Sequence, residues 1–545
     1  MKKLIICIMA ITTLAAVGCK GNQTTHPESE IEKKVAEYAE FTLTSDLVNN
    51  LTDNEKQLVK LFIEIGEVMD DIYWDEYFGN ENRRSLDTIT DPAVRAFAEI
   101  HYGAWDRLDA ERPFIGGYGE RPAGANFYPT DMTPEEYATL DDQQKMNQYS
   151  VIRRNAEGKL IELPYHEAYA TELQKVDSLL EKAIGLADNP GMKAYLTARR
   201  QALRTDDYFE SDMVWMEMKD SRLDFVVGPI ENYDDQLNGL KCSHEAFVLV
   251  KDEEWSNRLA QFVSLLPEMQ KLLPCEDKYK QETPGTECDL NVYDVIYYAG
   301  DCNAASKTIA INLPNDERVQ LAKGSRRLQL KNAMKAKYDK ILIPIADLMI
   351  CPEQRNNITF PAFFGNTCYH EVAHGLGIKN TITSHIPCRK ALGAQYSAWE
   401  EAKADVCGLF LTQQLIERGL ITDCTVEQNI TTFIAGLLRS VRFGATEAHG
   451  VANMMCYNYF QDHGVFSRDT EGKYVIDYDK AKEAMCGWAA LIIKVEGDGD
   501  IDFATKYAAE NGKVRPDLQK DLDAIRDANI PRDIRYNQGV AVLGL

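Results

Sequence analysis

His370-Glu371-Val372-Ala373-His374 and, further along, Glu400-Glu401-Ala402-Lys403-Ala404-Asp405 commit this chain to two helices that face one another. Residues four apart on a helix lie one above the other. His370 and His374 can therefore both turn a ring nitrogen toward one cation. Glu371, one step round the helix, stands where a zinc hydrolase keeps its general base. Two imidazoles leave a tetrahedral ion short of donors, and a carboxylate from a second helix is the expected third ligand. The acidic segment can supply it, with Glu401 and Asp405 sharing one face four apart. Three protein ligands leave one position open for water, which favours a catalytic ion over a structural one.

With nine histidines in 545 residues, His-Glu-x-x-His is rarely met by accident. The bland alternative is a surface helix with two solvated histidines. The flanking residues oppose it: Phe360, Phe363 and Phe364 precede the motif, and Gly375 and Gly377 mark a helix end. The second segment opens Ser397-Ala398-Trp399-Glu400, a capping-box pattern. Val406, Leu409, Phe410 and Leu415 then follow at helical spacing, which predicts a helix buried on one face.

The chain opens with Met1-Lys2-Lys3, an apolar run over 4–17, then Gly18-Cys19. A basic start followed by a short apolar stretch reads as an export signal, being shorter than the roughly 20 residues that span a bilayer. Ala16-Val17-Gly18-Cys19 reads as a bacterial lipobox, although Leu14 lies two places before the usual leucine. This predicts a signal peptide over 1–18, lipidation of Cys19, a polar tether over 19–30 and a cell-envelope location facing the periplasm. Ordinary cleavage after small residues is the alternative. A net charge of −25 argues against nucleic acid and anionic membrane surfaces as partners, leaving the lipid as the expected membrane attachment. Of 13 cysteines, Cys7 and Cys19 fall in the leader, so 11 remain and at least one is unpaired. Cys275 and Cys288 flank a polar loop and are the expected pair; most others sit in apolar contexts that suit buried thiols.

Residues 31–222 read as mainly helical, with Leu58, Leu61, Phe62, Ile65, Val68 and Met69 as one apolar set and 173–202 as another helical stretch. An aromatic-rich loop over 113–133 is long enough to suggest a place beside a cleft. Strand-like runs follow at 223–227, 247–250, 292–298 and 307–311, with helices expected over 252–273 and 316–334. From 343 to 530 the pattern is helical again. The fold class expected is α+β and mostly helical, with two lobes around a wide cleft. One lobe, within about 31–335, carries a small mixed sheet or barrel. The other, about 336–545, is helical and bears the metal motifs.

Taken together, the two motifs resemble the dipeptidyl peptidase III family of zinc exopeptidases, which remove dipeptides from free N-termini. Ile311-Asn312-Leu313-Pro314-Asn315 looks like the family's Ile-Asn-x-Pro-Asn segment. Gly228-Pro229-Ile230-Glu231-Asn232-Tyr233 looks like its Gly-x-Ile-Glu-Ser-Tyr segment, and Glu447-Ala448-His449 like its Gln-Ala-His. These segments keep the family's order across about 220–460. The loop at 124–129 is similar to a bacterial subgroup related to the peptidase-like part of some Nudix-linked proteins, although no Nudix motif is present. The resemblance implies one zinc ion held by His370, His374 and Glu401. It implies Glu371 as general base, His449 as hydrogen-bond donor to the developing oxyanion, and Glu400 and Asp405 as acceptors that orient the histidines. It implies that Asn312 and Asn315, with Glu231 and Tyr233, bind an oligopeptide by its N-terminal side. Without the resemblance, Asn312 and Asn315 read as turn residues around a proline, and His449 as a core histidine.

Three departures stand out. The family usually has a six-residue motif with a glycine before the second histidine; here the motif has five and Gly375 follows His374. Val226 aligns with a family tyrosine, and Asn453 with a usual arginine. Two other functions stay open from the residues: a zinc- or peptide-binding lipoprotein with weak turnover, and a zinc hydrolase of another amide. The oligomeric state is open.

Overall fold

The computed structural model describes residues 29–285, 289–444 and 447–545. The expected signal peptide, Cys19, nearly all of the tether, and Cys288 lie outside the described residues. Among the described residues no disulfide forms; Cys275 is a thiol, and Cys302, Cys368, Cys407 and Cys456 are buried ones. No helix among them is long and apolar enough to cross a membrane.

The molecule is mostly helical and has two lobes with separate apolar cores. In the first, helix α1 (Asp53–Tyr77) starts at a capping box between Thr52 and Glu55. It buries Leu58, Phe62, Ile65 and Met69 at the spacing the sequence predicts. Helix α2 (Ala170–Leu186) packs beside it, and α3 (Pro190–Thr205) packs on α2. Strand β1 (Tyr38–Thr42) precedes α1. The sheet consists of β2 (Leu223–Glu231), β3 (Ser243–Lys251), β4 (Asp289–Gly300), β5 (Ala310–Leu313) and β6 (Arg326–Leu330), ordered β2-β3-β4-β6-β5. All its pairs are antiparallel except β4–β6. The sheet curls until its two edges approach: Asn315, just past β5, donates its side-chain amide to the Ile230 carbonyl on β2 at 3.1 Å.

The sheet corrects two expectations. Residues 316–334 are not one helix. A helix over Glu317–Lys323 ends at Gly324 (φ +77°), and β6 then pairs on both sides before the chain turns helical again at Lys331. The strand expected over 307–311 is shifted to Ala310–Leu313, where it pairs with β6. In both places long-range pairing overrides local spacing.

The second lobe is built on α4 (Phe360–Ala373), α5 (Tyr396–Glu417), α6 (Val426–Ser440), α7 (Ala448–Asp462) and α8 (Tyr478–Asp498). Its core also takes in Leu259 to Tyr279 from the stretch between β3 and β4. Thr359 caps α4, with Pro361 in its first turn. Helix α5 is not one-sided: α4, α6, α7 and α8 all pack on it, and Trp399, Val406, Cys407 and Leu411 are fully buried. Nor does it use the expected capping box; it begins at Tyr396, and Gln395 provides no side-chain cap. The last strand, β7 (Asp533–Asn537), runs parallel to β1 and returns the chain end to its beginning.

Candidate metal centre

The metal motif sits where α4 stops. His370 is in the last turn and His374 is the capping residue, its N–H still bonded to the His370 carbonyl at 3.2 Å. The four-residue spacing therefore holds to the helix end, and the two rings stand 4.8 Å apart. Gly377 (φ +87°) then carries the chain away over Lys403, leaving no room for a side chain.

Both rings are fixed from behind. His370 Nδ1 donates to Asp405 Oδ1 at 2.7 Å, and His374 Nδ1 donates to Glu400 Oε1 at 2.8 Å. An ionised carboxylate only accepts, so each Nδ1 carries its proton and each Nε2 is left for other work. Between them stands Glu401. Its Oε2 lies 3.2 Å from His370 Nε2, 3.7 Å from His374 Nε2 and 3.2 Å from His449 Nε2. That oxygen is buried and accepts no well-formed hydrogen bond. A buried carboxylate oxygen without a donor is costly, and imidazole nitrogens around it form the donor set of a divalent transition ion. These residues fit a metal.

Asp405 and Glu400 are themselves held. Asn453 donates to Asp405 Oδ2 at 3.1 Å, so the position of the usual arginine is occupied by a group that steadies the histidine's partner. Glu400 accepts from Tyr396 Oη at 2.9 Å and from the fully buried Lys403 at 2.8 and 2.9 Å. Behind Lys403 lies Glu496, buried with both carboxylate oxygens unpaired.

Charge follows this arrangement. Burial alone would lower the His370 pKa, but Asp405 and Glu401 hold it well above its ordinary value. Burial opposes ionisation of Glu401 too, yet the neighbouring His370 and His449 imidazoles keep it well below the usual carboxylate range. Glu400 is likewise held down, against burial, by His374 and Lys403. For His449 the Glu401 carboxylate 3.2 Å away dominates and raises the pKa. In this state protons occupy places a cation can take, so metal binding should release them.

Glu371 projects beside the centre, half-buried. Arg327 of β6 donates to its carbonyl at 3.1 Å and stands 3.6 Å from its Oε2. On the sheet lobe, Glu231, Tyr233 and Asn315 come together: burial raises the Glu231 pKa, with Asn315 and Tyr233 opposing it as hydrogen-bond partners. Tyr233 is 73% exposed, open to a ligand. Asn312 lies on β5, directly across from Arg327. Val226 is buried in β2, paired with Phe247. The 113–133 loop braces this region: Gln236 N–H donates to Ala123 at 2.8 Å, Tyr128 Oη to Asp235 at 2.8 Å, and Arg121 to the Asp234 carbonyl at 2.7 Å.

Several residues in or near the site were not singled out from sequence. Lys403 could have been found, since it lies three residues after Glu400 on one helix face. Arg327 was hidden inside a predicted helix. Glu245, pushed up by burial and then by Asp301 and Glu231, and Asp301, pushed up by burial and then by Asp234, sit on separate segments with no local signature.

A family model described as Peptidase family M49 matches residues 135–379. That span holds both motif histidines but ends before Glu401 and His449. Nudix hydrolase 3 of Arabidopsis thaliana is 31% identical over 570 residues, which cover 92% of this chain and 73% of that protein. The structure is similar to that of DPP III from Caldithrix abyssi, with a TM-score of 0.87 at 35% identity, over 93% of this chain and 98% of the other. It is similar also to dipeptidyl-peptidase III from Corallococcus sp. strain EGB, with a TM-score of 0.75 at 32% identity, over 93% and 96%.

Proposed function

This chain belongs to peptidase family M49, the dipeptidyl peptidase III family of metallopeptidases, and from that premise we propose that it is a zinc exopeptidase that releases dipeptides from the free N-terminus of short peptides. The observation that carries the reading is the environment of Glu401 Oε2, a buried, undonated oxygen facing three imidazole nitrogens.

His370, His374 and Glu401 are the proposed ligands. His449 is equally near Glu401, but only the two motif histidines have Nδ1 fixed by a carboxylate, the support that metal-ligating histidines typically have. A divalent ion held there supplies a Lewis acid and makes a water more acidic. Glu371 takes a proton from the attacking water and passes it to the departing amine. His449, exposed and with its pKa raised by the Glu401 carboxylate beside it, is placed to donate a hydrogen bond to the carbonyl oxygen as negative charge develops on it. Asn312 and Asn315 orient the peptide backbone, and Glu231 with Tyr233 receives its amino end. Glu400 and Asp405 keep the histidine rings aimed.

We also propose, from the sequence of the first nineteen residues, a lipid on Cys19 and a periplasm-facing location in the bacterial envelope. Mass analysis of the mature N-terminus tests this; an unmodified residue there refutes it.

The central test is a panel of short peptides with free and blocked N-termini, run with and without chelator. Dipeptide release that needs a free N-terminus and stops on chelation supports the reading. Peptide binding without turnover by the zinc-loaded protein would make it a binding protein. Cleavage of blocked substrates would make it a hydrolase of another kind.

A further inference from the structure

Arg327 joins the two lobes at the chemical centre. Strand alternation sends its neighbour Arg326 into the core, where it meets Asp224 at 3.1 Å and the Tyr293 hydroxyl at 3.1 Å. Arg327 therefore faces the other way, on the side of the sheet shared with its register partner Asn312. Side chains directly across an antiparallel pair stand about 5 Å apart at Cβ. The Arg327 guanidinium then leaves its own lobe and reaches the last turn of α4.

What it meets there is specific. A helix end leaves carbonyls without partners. At the end of α4, the His370 carbonyl is taken by His374 N–H, that of Val372 by Gly375 and that of Ala373 by Leu376. The Glu371 carbonyl is taken by Arg327 Nη1 at 3.1 Å, and the same nitrogen lies 3.6 Å from the Glu371 carboxylate. One guanidinium thus holds both the backbone and the side chain of this residue, from a strand that also carries Asn312.

We propose that Arg327 is a positioning residue for the reaction: it fixes Glu371 relative to the strand that orients the peptide. This rests on the reading of the protein as a dipeptidyl peptidase with Glu371 as base. Both contacts come from one nitrogen, and a lysine ammonium on its flexible stem keeps the charge but not the fixed plane of the guanidinium, so Arg327→Lys should recover only part of the function.

The test compares wild type, Arg327→Ala and Arg327→Lys in the zinc-loaded full chain, with kcat, KM, bound zinc and melting midpoint measured for each. A displacement of about 1 Å at a catalytic group costs on the order of 100-fold in rate, so kcat of Arg327→Ala should fall by about that factor while KM changes by no more than about threefold. Bound zinc should be unchanged, and added methylguanidinium should restore part of the lost kcat. A kcat within about twofold of wild type overturns the proposal. So does a loss that accompanies zinc release, or one that methylguanidinium does not restore. If wild type itself releases no dipeptide, the functional reading falls and this inference with it; if wild type is active and Arg327→Ala is too, only the inference falls.

Discussion

Asn453 donates its side-chain amide to Asp405 Oδ2 at 3.1 Å while Asp405 Oδ1 accepts from His370 Nδ1 at 2.7 Å. One carboxylate therefore ties α7, the helix that carries His449, to the first motif histidine on α4. Removing such a partner lets the ring turn and typically weakens metal binding by about 10–100-fold. Asp405→Ala should show this loss in a competition titration against a chelator of known affinity. Asn453→Leu, which keeps the carboxylate, should show a smaller one. Unchanged zinc affinity in Asp405→Ala would mean that the ring is fixed by packing instead.

Glu371→Gln should separate chemistry from metal binding. The amide keeps the size of the side chain but cannot accept the proton, and general-base catalysis is commonly worth about 10²–10⁴ in rate. Dipeptide release should fall by that order while bound zinc, measured by atomic absorption, stays at the wild-type level. Zinc loss in this variant would place Glu371 among the ligands, not beside them.

Gly408 sets the distance between α4 and α5. A Cβ added there would lie 2.9 Å from His370 N and 3.0 Å from the Tyr369 carbonyl atoms. These are backbone atoms, which cannot rotate aside, so Gly408→Ala must push the helices apart. Overpacking of this kind costs about 1–3 kcal/mol, and here the displaced groups carry His370 on one side and Glu401 on the other. Both the melting midpoint and zinc retention should fall. A variant with lower stability but normal zinc affinity would show that the centre tolerates the shift.

The legible part of this site was local. Four-residue spacing on a helix is a covalent property, so His370 and His374 could be paired without a fold; a carboxylate from the 400–405 segment followed from what two imidazoles lack, and the family resemblance singled out Glu401. The sheet was harder. Val319 with Ala322, and Leu330 with Ala333 and Met334, have spacings a helix can use, and only pairing with β4 and β5 makes Arg326–Leu330 a strand. Gly324 was the one local signal, and Arg327 became visible only once that strand existed. Glu496 was illegible for another reason. Near the end of an amphipathic helix it reads as a solvated acid, and nothing within α8 reveals that Lys403 of α5 packs against it.

That buried carboxyl gives the fold a pH dependence of its own. Burial raises the Glu496 pKa to about 7 from an ordinary 4.5, with Lys403 and Lys379 pulling the other way. A carboxyl raised in the folded state binds its proton more tightly there than in the unfolded chain. Between the two values the native state holds more protons, so this residue's contribution falls as pH rises from about 4.5 through about 7. Glu496→Gln has no proton to lose, and its stability should not carry this slope. Groups that titrate alike in both proteins cancel in the comparison. Urea midpoints of wild type and Glu496→Gln at pH 5 and pH 7.5 should therefore diverge, with the variant gaining on wild type at the higher pH. A difference that stays constant or reverses would mean that Lys403 holds Glu496 ionised throughout, which would make the pair a permanent ion pair behind Glu400 and His374.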